Sequence, residues 1–197
     1  MIILGVDPGT VVLGYGIIRV EGKKLTCLTL DALKLDAKKD PFERLADIHT
    51  AIAELFATYQ PDHMAMEAPF FGKNIQSMLK LGRAQGVIMS AGLAAGIPVV
   101  EYSPRKVKQA ITGNGAASKE QVSGMLQHIY GLESMPKVLD ATDGLAVATC
   151  HAYAIGSPIQ ASMSVNKLKK APKGKGKGSW SQFLSQNPDR IQGGQSE

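Results

Sequence analysis

The sequence of 197 residues predicts an α/β fold: a mixed five-stranded sheet, three antiparallel strands followed by parallel additions, flanked by helices on both faces. Three observations predict it. Three strand-like runs follow one another at the start, joined by turns too short for a crossover. The chain then alternates short strand runs with helical patterns, the rhythm of parallel β-α-β units. A hydrophobic content of 44% without internal repeats suits one core of about 150 residues.

The elements follow in chain order. Ile2–Val6, Leu13–Val20 and Lys24–Lys34 have strand composition and are separated by the turn-prone DPGT and EGKK, so they read as an antiparallel meander. Asp40-Pro41-Phe42-Glu43 combines an N-cap with Pro at the first helical position. It opens a helix with Phe42, Leu45, Ile48, Ile52, Leu55 and Phe56 on one face, and Pro61 follows its end. His63–Glu67 reads as a strand, Asn74–Ala95 as a long helix, Pro98–Tyr102 as a strand and Pro104–Thr112 as a helix. Ser118 with Gln121 has the capping-box pattern for a helix over Ser118–Tyr130, and a last helix begins near Asp140.

Composition divides the chain into a domain over residues 1–156 and a tail over 157–197. The tail holds seven basic and two acidic residues, which accounts for the whole net charge of +5. Rich in Lys, Gly and Ser, it has too few apolar residues to offset its ordering entropy and reads as disordered. Such a tail either attaches to phosphate backbones or aids solubility. Cys27 and Cys150 are isolated, which signals neither a disulfide framework nor a zinc site and fits a reducing cytoplasm. Met1–Thr10 lacks signal-peptide character, and VIMSAGLAAGIPVV is too short and too broken to span a bilayer, so no membrane partner is expected.

Four carboxylates stand at element ends. Asp7 closes the strand in IILGVDPGT, Glu67 closes the one in MAMEA, and Asp140 and Asp143 open the final helix in LDATDGLAVATCHAYA. Singly, Asp7 reads as a turn cap and the later pair as an N-cap and a dipole partner. Glu67 ends an apolar run with no adjacent Lys or Arg. Asp140 and Asp143, three apart, share a helix face. If the first and fourth strands are neighbours, all four acids converge, and that much like charge requires divalent cations. Hard oxygen ligands suit Mg²⁺ or Mn²⁺ rather than zinc. Two such ions about 3.5–4 Å apart hydrolyse phosphodiesters without a covalent intermediate. The four histidines are scattered and read as core or surface residues.

GVDPGT, GYGII, MEAPFFGKN, KLGRAQGV, RKVKQAITGNGAASKEQV and LDATDGLAVA, in this order and at these intervals, resemble the RuvC family of Holliday junction resolvases over about residues 1–155. The resemblance implies a ribonuclease-H-like fold, a homodimer, and a magnesium-dependent endonuclease of DNA recombination and repair. Paired symmetric nicks in four-way DNA junctions would be made with two divalent ions per site. Asp7, Glu67, Asp140 and Asp143 are implied as the catalytic metal ligands, and the RuvA and RuvB branch-migration proteins as partners. The Lys-Gly tail lies outside the family pattern.

DNA contacts are expected in the middle of the chain. Lys73, Lys80, Arg83, Arg105, Lys106, Lys108 and Lys119 are balanced between Phe70 and Lys119 only by Glu101, which makes a candidate phosphate-tracking surface. The resemblance puts Lys108 and Lys119 beside the cleavage site; GNGAAS between them either approaches a phosphate or is a plain loop. Phe70 and Phe71 cannot both enter one core, so one is expected to stack on an unpaired base unless both pack under a loop. The resemblance favours Phe70. Gly82, Gly86 and Gly92 in the long helix imply close contact with another backbone, in the sheet or across a two-fold interface.

Other classes fit less well. An actin-like phosphotransferase needs a second similar domain and a second Gly-rich loop, and a non-catalytic nucleic-acid module needs no convergent acids. A ribonuclease acting on RNA–DNA hybrids shares the expected fold and metals and differs in substrate.

Overall fold

A computed structural model describes residues 1–69, 74–134 and 139–156. Strand β1 (Ile2–Asp7) lies at the centre of a five-stranded sheet with β2 (Val12–Glu21), β3 (Lys24–Lys34), β4 (His63–Glu67) and β5 (Val99–Tyr102), ordered β3-β2-β1-β4-β5. The β1–β2 and β2–β3 pairs are antiparallel, whereas β1–β4 and β4–β5 are parallel. This is the expected meander with two parallel additions. Helices α1 (Pro41–Tyr59), α2 (Ile75–Ala94), α3 (Pro104–Thr112), α4 (Lys119–Tyr130) and α5 (Leu139–Gly156) complete the fold. Among the described residues no helix is long and apolar enough to cross a membrane.

The helix starts follow from their caps. Asp40 accepts a hydrogen bond from the Phe42 N–H with Pro41 behind it, and Ser118 and Gln121 form both bonds of a capping box. Satisfying these otherwise orphaned backbone groups contributes about 1 kcal/mol at each cap.

Strand parity builds two cores. Leu4, Val6, Met64 and Met66 point to the face covered by α1 and α2, where Ile48, Ile52, Ala84 and Ile88 meet them. Ile3 and Ala65 point to the opposite face, against Leu126 of α4 and Leu145, Val147 and Ala148 of α5. Asp7 shares the parity of Ile3, and Glu67 that of Ala65, so both acids face α5.

Helix α5 lies unusually close to the sheet. A Cβ on Gly5 would run into the Gly144 carbonyl and the Ala148 N–H, one on Gly14 into the Asp140 carbonyl, and one on Gly144 into the Tyr15 backbone. Glycine in strand interiors here marks close backbone approach. The far half of α5 is held by a buried polar chain: the Tyr102 hydroxyl lies 2.7 Å from His151 Nδ1, and His151 Nε2 lies 3.1 Å from His63 Nδ1. Burial, then the neighbouring His63, pushes His151 down to about 4 and keeps it neutral.

The glycines of α2 behave differently from the close packing their composition implies. Only Gly92 packs on the sheet, where its added Cβ would meet Met64 and Val99; nothing stands within 4 Å of Gly82 or Gly86. Those two lie on the outer face of the helix.

Candidate active site

The first and fourth strands are neighbours, and Val6 pairs with Met66, which puts Asp7 and Glu67 side by side one rung further along. The start of α5 lies over this sheet edge. Asp7, Asp140 and Asp143 each offer a carboxylate oxygen within 4.8 Å of the others, a spacing that a cation can bridge. Glu67 joins Asp7, Asp143, Lys108 and Lys119 in one cleft walled by Pro104, Val107, Val122 and Ala146. The sequence-predicted acids therefore converge, three in one ligand-spaced group and the fourth on the same cleft.

Electrostatics mark the group as incomplete without positive charge. Burial first, then the Glu67 and Asp143 carboxylates, pushes Asp7 up to about 7 against the opposing pull of Lys119. Glu67 is likewise pushed up to about 7 by burial and by Asp143. Carboxyl groups so placed hold protons near neutrality unless a cation displaces them. Lys119 supplies part of that charge, its ammonium 2.5 Å from Asp143 Oδ2. Burial works against the Lys119 cation, but the Asp143 bond and the Asp140 and Asp7 charges outweigh it and raise its pKa. Half of the Lys119 side chain remains exposed. An all-oxygen donor set with raised carboxyl pKa values fits a hard divalent cation.

The other predicted basic residues disperse. Lys108 lines the carboxylate cleft, while Lys80 and Arg83 line a separate cleft between α1 and α2. Lys106 sits 4.9 Å over the Tyr102 ring, and Arg105 packs along Gly115. Phe70, Phe71, Lys73 and the tail over 157–197 lie outside the described residues.

Two contributions to the site escape the sequence reading. One is the glycine contact that lowers α5 onto β1 and β2; alternate glycines at 14 and 16, with Gly5 inside an apolar strand, were the available signal. The other is Arg44 of α1, whose Nη1 donates to the Thr10 carbonyl at 3.1 Å and braces the turn after Asp7.

Comparison with known proteins gives concordant matches. The family model described as crossover junction endodeoxyribonuclease RuvC matches residues 3–151. A crossover junction endodeoxyribonuclease RuvC of Christiangramia forsetii is 50% identical over 190 residues, covering 96% of this chain and 92% of its own length. The Bacteroides fragilis protein of the same name is 46% identical, covering 96% and 95%. Among solved structures, Thermus thermophilus RuvC in complex with Holliday junction substrate aligns with a TM-score of 0.75 and 35% identity over 79% of this chain and 95% of that one.

Proposed function

The chain belongs to the RuvC family of crossover junction endodeoxyribonucleases, and from that premise we propose that it resolves four-way DNA junctions by hydrolysis at the carboxylate cleft. The observation that carries this reading is the convergence of acids from β1, β4 and α5 in a cleft that also holds two lysines.

Asp7, Glu67, Asp140 and Asp143 are assigned as ligands of two Mg²⁺ ions, with Mn²⁺ able to substitute. Bound there, such ions supply an activated water and neutralise charge on the phosphate and the departing oxygen. The residues themselves set the geometry. Asp7 and Glu67 ride on paired strands, and the first turn of α5 carries Asp140. To hold a cation, Asp7 and Glu67 would have to give up the protons that burial lets them keep near neutrality. Lys119, bonded to Asp143, and Lys108, close enough to act on Glu67, line the same cleft, so negative charge developing there meets two ammonium groups. Val107 and Val122 give the cleft an apolar wall. Phe70 or Phe71, three and four residues past Glu67, is assigned to stacking on a base at the junction centre. Lys73, Arg105 and Lys106 are assigned to the DNA backbone.

Symmetric nicking requires two sites. We assign the homodimer contact to the outer face of α2, where Ile75, Leu79 and Leu93 are 73%, 53% and 67% exposed alongside Gly82 and Gly86, with Phe42 of α1 nearby at 68%. A Cβ added at Gly86 meets nothing within 4 Å, and a longer side chain would extend into the open cleft beside Phe42 and His49; Gly86→Arg should therefore fold yet sediment as a monomer and nick junction strands singly. A variant that sediments as a dimer would remove α2 from the interface. RuvA and RuvB remain the partners assigned by family membership.

The reading is tested by offering the full chain a four-way junction, a linear duplex and an RNA–DNA hybrid, with and without Mg²⁺. Paired nicks confined to the junction and dependent on Mg²⁺ are expected; preferential cutting of the hybrid would overturn the assignment.

A further inference from the structure

The turn that carries Asp7 also borders a second cleft, of opposite charge. Thr10, Pro41, Arg44, Leu45, Lys80 and Arg83 line it, so it holds three cationic side chains and no carboxylate. Among the described residues none of the three cations is in an ion pair. Arg44 is fixed by its bond to the Thr10 carbonyl, yet its Nε is sealed from solvent without any hydrogen-bond partner. The guanidinium thus keeps hydrogen-bonding capacity that, among the described residues, its own protein uses only through the Thr10 bond, and it lies in a cleft with two further cations.

The shape of that acceptor follows from the donors. A guanidinium offers a planar fork matched to the oxygens of phosphate, and the two further cations lining the cleft favour an anion over a neutral group. Asp7 and Thr10 are three residues apart, hence at most about 11 Å along the chain. The turn after β1 therefore borders both clefts, Asp7 lining one and Thr10 the other.

We propose that the Arg44 cleft seats a backbone phosphate of the DNA strand whose scissile bond lies in the carboxylate cleft. Arg44 is the principal ligand, and Lys80 and Arg83 close the rim. The inference rests on the nuclease reading and deepens it. Because Arg44 also braces the Thr10 carbonyl, a phosphate seated on it presses the strand into register with the turn that presents Asp7. Arg44 is a positioning residue; it touches substrate away from the reacting atoms.

The test measures junction binding by the full chain carrying Asp7→Asn, without divalent metal, across a series of KCl concentrations. Adding Arg44→Gln is expected to weaken binding about 5- to 20-fold and to lower the slope of log affinity against log salt by about 0.9, the signature of one lost phosphate contact. Arg44→Lys keeps the charge but loses the fork, so the slope should stay while affinity falls about 2- to 5-fold. An unchanged salt slope for Arg44→Gln would overturn the proposal and leave Arg44 only as a brace for the turn. Should Arg44→Gln fail to fold, the Lys variant decides: affinity equal to the parent overturns it. Failure of the parent to prefer a junction over a duplex would instead defeat the nuclease reading, whatever Arg44 does.

Discussion

Replacing Asp7 by Asn should cost at least about 10³-fold in junction cleavage, the equivalent of about 4 kcal/mol of transition-state stabilisation lost with a metal site. The same substitution should make the metal-free protein more stable at pH 8. Asp7 and Glu67 have folded pKa values near 7, raised from 3.8 and 4.5. A raised pKa means that the folded state holds protons longer than the unfolded state. Its stability is therefore fully present below about pH 4 and is lost as pH climbs through 7. Metal-free wild type should melt lower at pH 8 than at pH 5.5, by about 2–4 kcal/mol in stability, whereas Asp7→Asn should remove about half of that dependence and leave the share of Glu67, which burial and Asp143 raise. Mg²⁺ should restore wild type at pH 8 and leave the variant unmoved. Thermal melts at both pH values, beside a cleavage assay, check the whole set; a variant no more stable than wild type at pH 8 would show that Asp7 is not crowded by its neighbours.

Gly144→Ala is expected to have the largest structural effect. Its Cβ would stand 2.5–2.7 Å from three backbone atoms of Tyr15, and neither β2 nor the helix interior can yield. The relief available is for α5 to lift off the sheet, which unpacks Leu145 and Ala148 and draws Asp140 and Asp143 away from Asp7. A loss of about 3 kcal/mol or more follows, since overpacking against backbone exceeds the usual core penalty, and the melting temperature should drop by about 6–12 °C. Cleavage should fall further than stability alone explains. Gly124→Ala in α4 is the matched control: nothing lies within 4 Å of its added Cβ, and the better helix propensity should leave stability unchanged or raise it by about 1 kcal/mol. Equal melting temperatures for the two variants would contradict the close seating of α5.

Much of this arrangement is legible in the sequence because it depends on short-range rules. Caps at Asp40 and Ser118 locate two helices, and the meander follows from turn spacing. The meeting of Asp7 and Glu67 needs only that β1 and β4 be neighbours, because each acid keeps the parity of its strand. Helix α5 is less legible: Leu145, Val147, Ala148 and Cys150 are all buried, and a helix enclosed on most sides has no periodic stripe to show which face meets the sheet. Glycines mislead for a related reason. Without a side chain, Gly82 and Gly144 look alike in sequence, although one faces open space and the other touches β2. Arg44 reads as an ordinary polar member of an amphipathic helix, and only its sealed, unpartnered Nε distinguishes it.

Of the four acids proposed as ligands, two are carried by α5 and two by strands more than seventy residues earlier. Contacts of such high sequence separation form late, since loop closure must precede them. During synthesis the N-terminal meander and β4 emerge first and hold only Asp7 and Glu67. If these four acids form the catalytic centre as proposed, it is complete only once α5 is seated on its glycine-lined contact with β1 and β2.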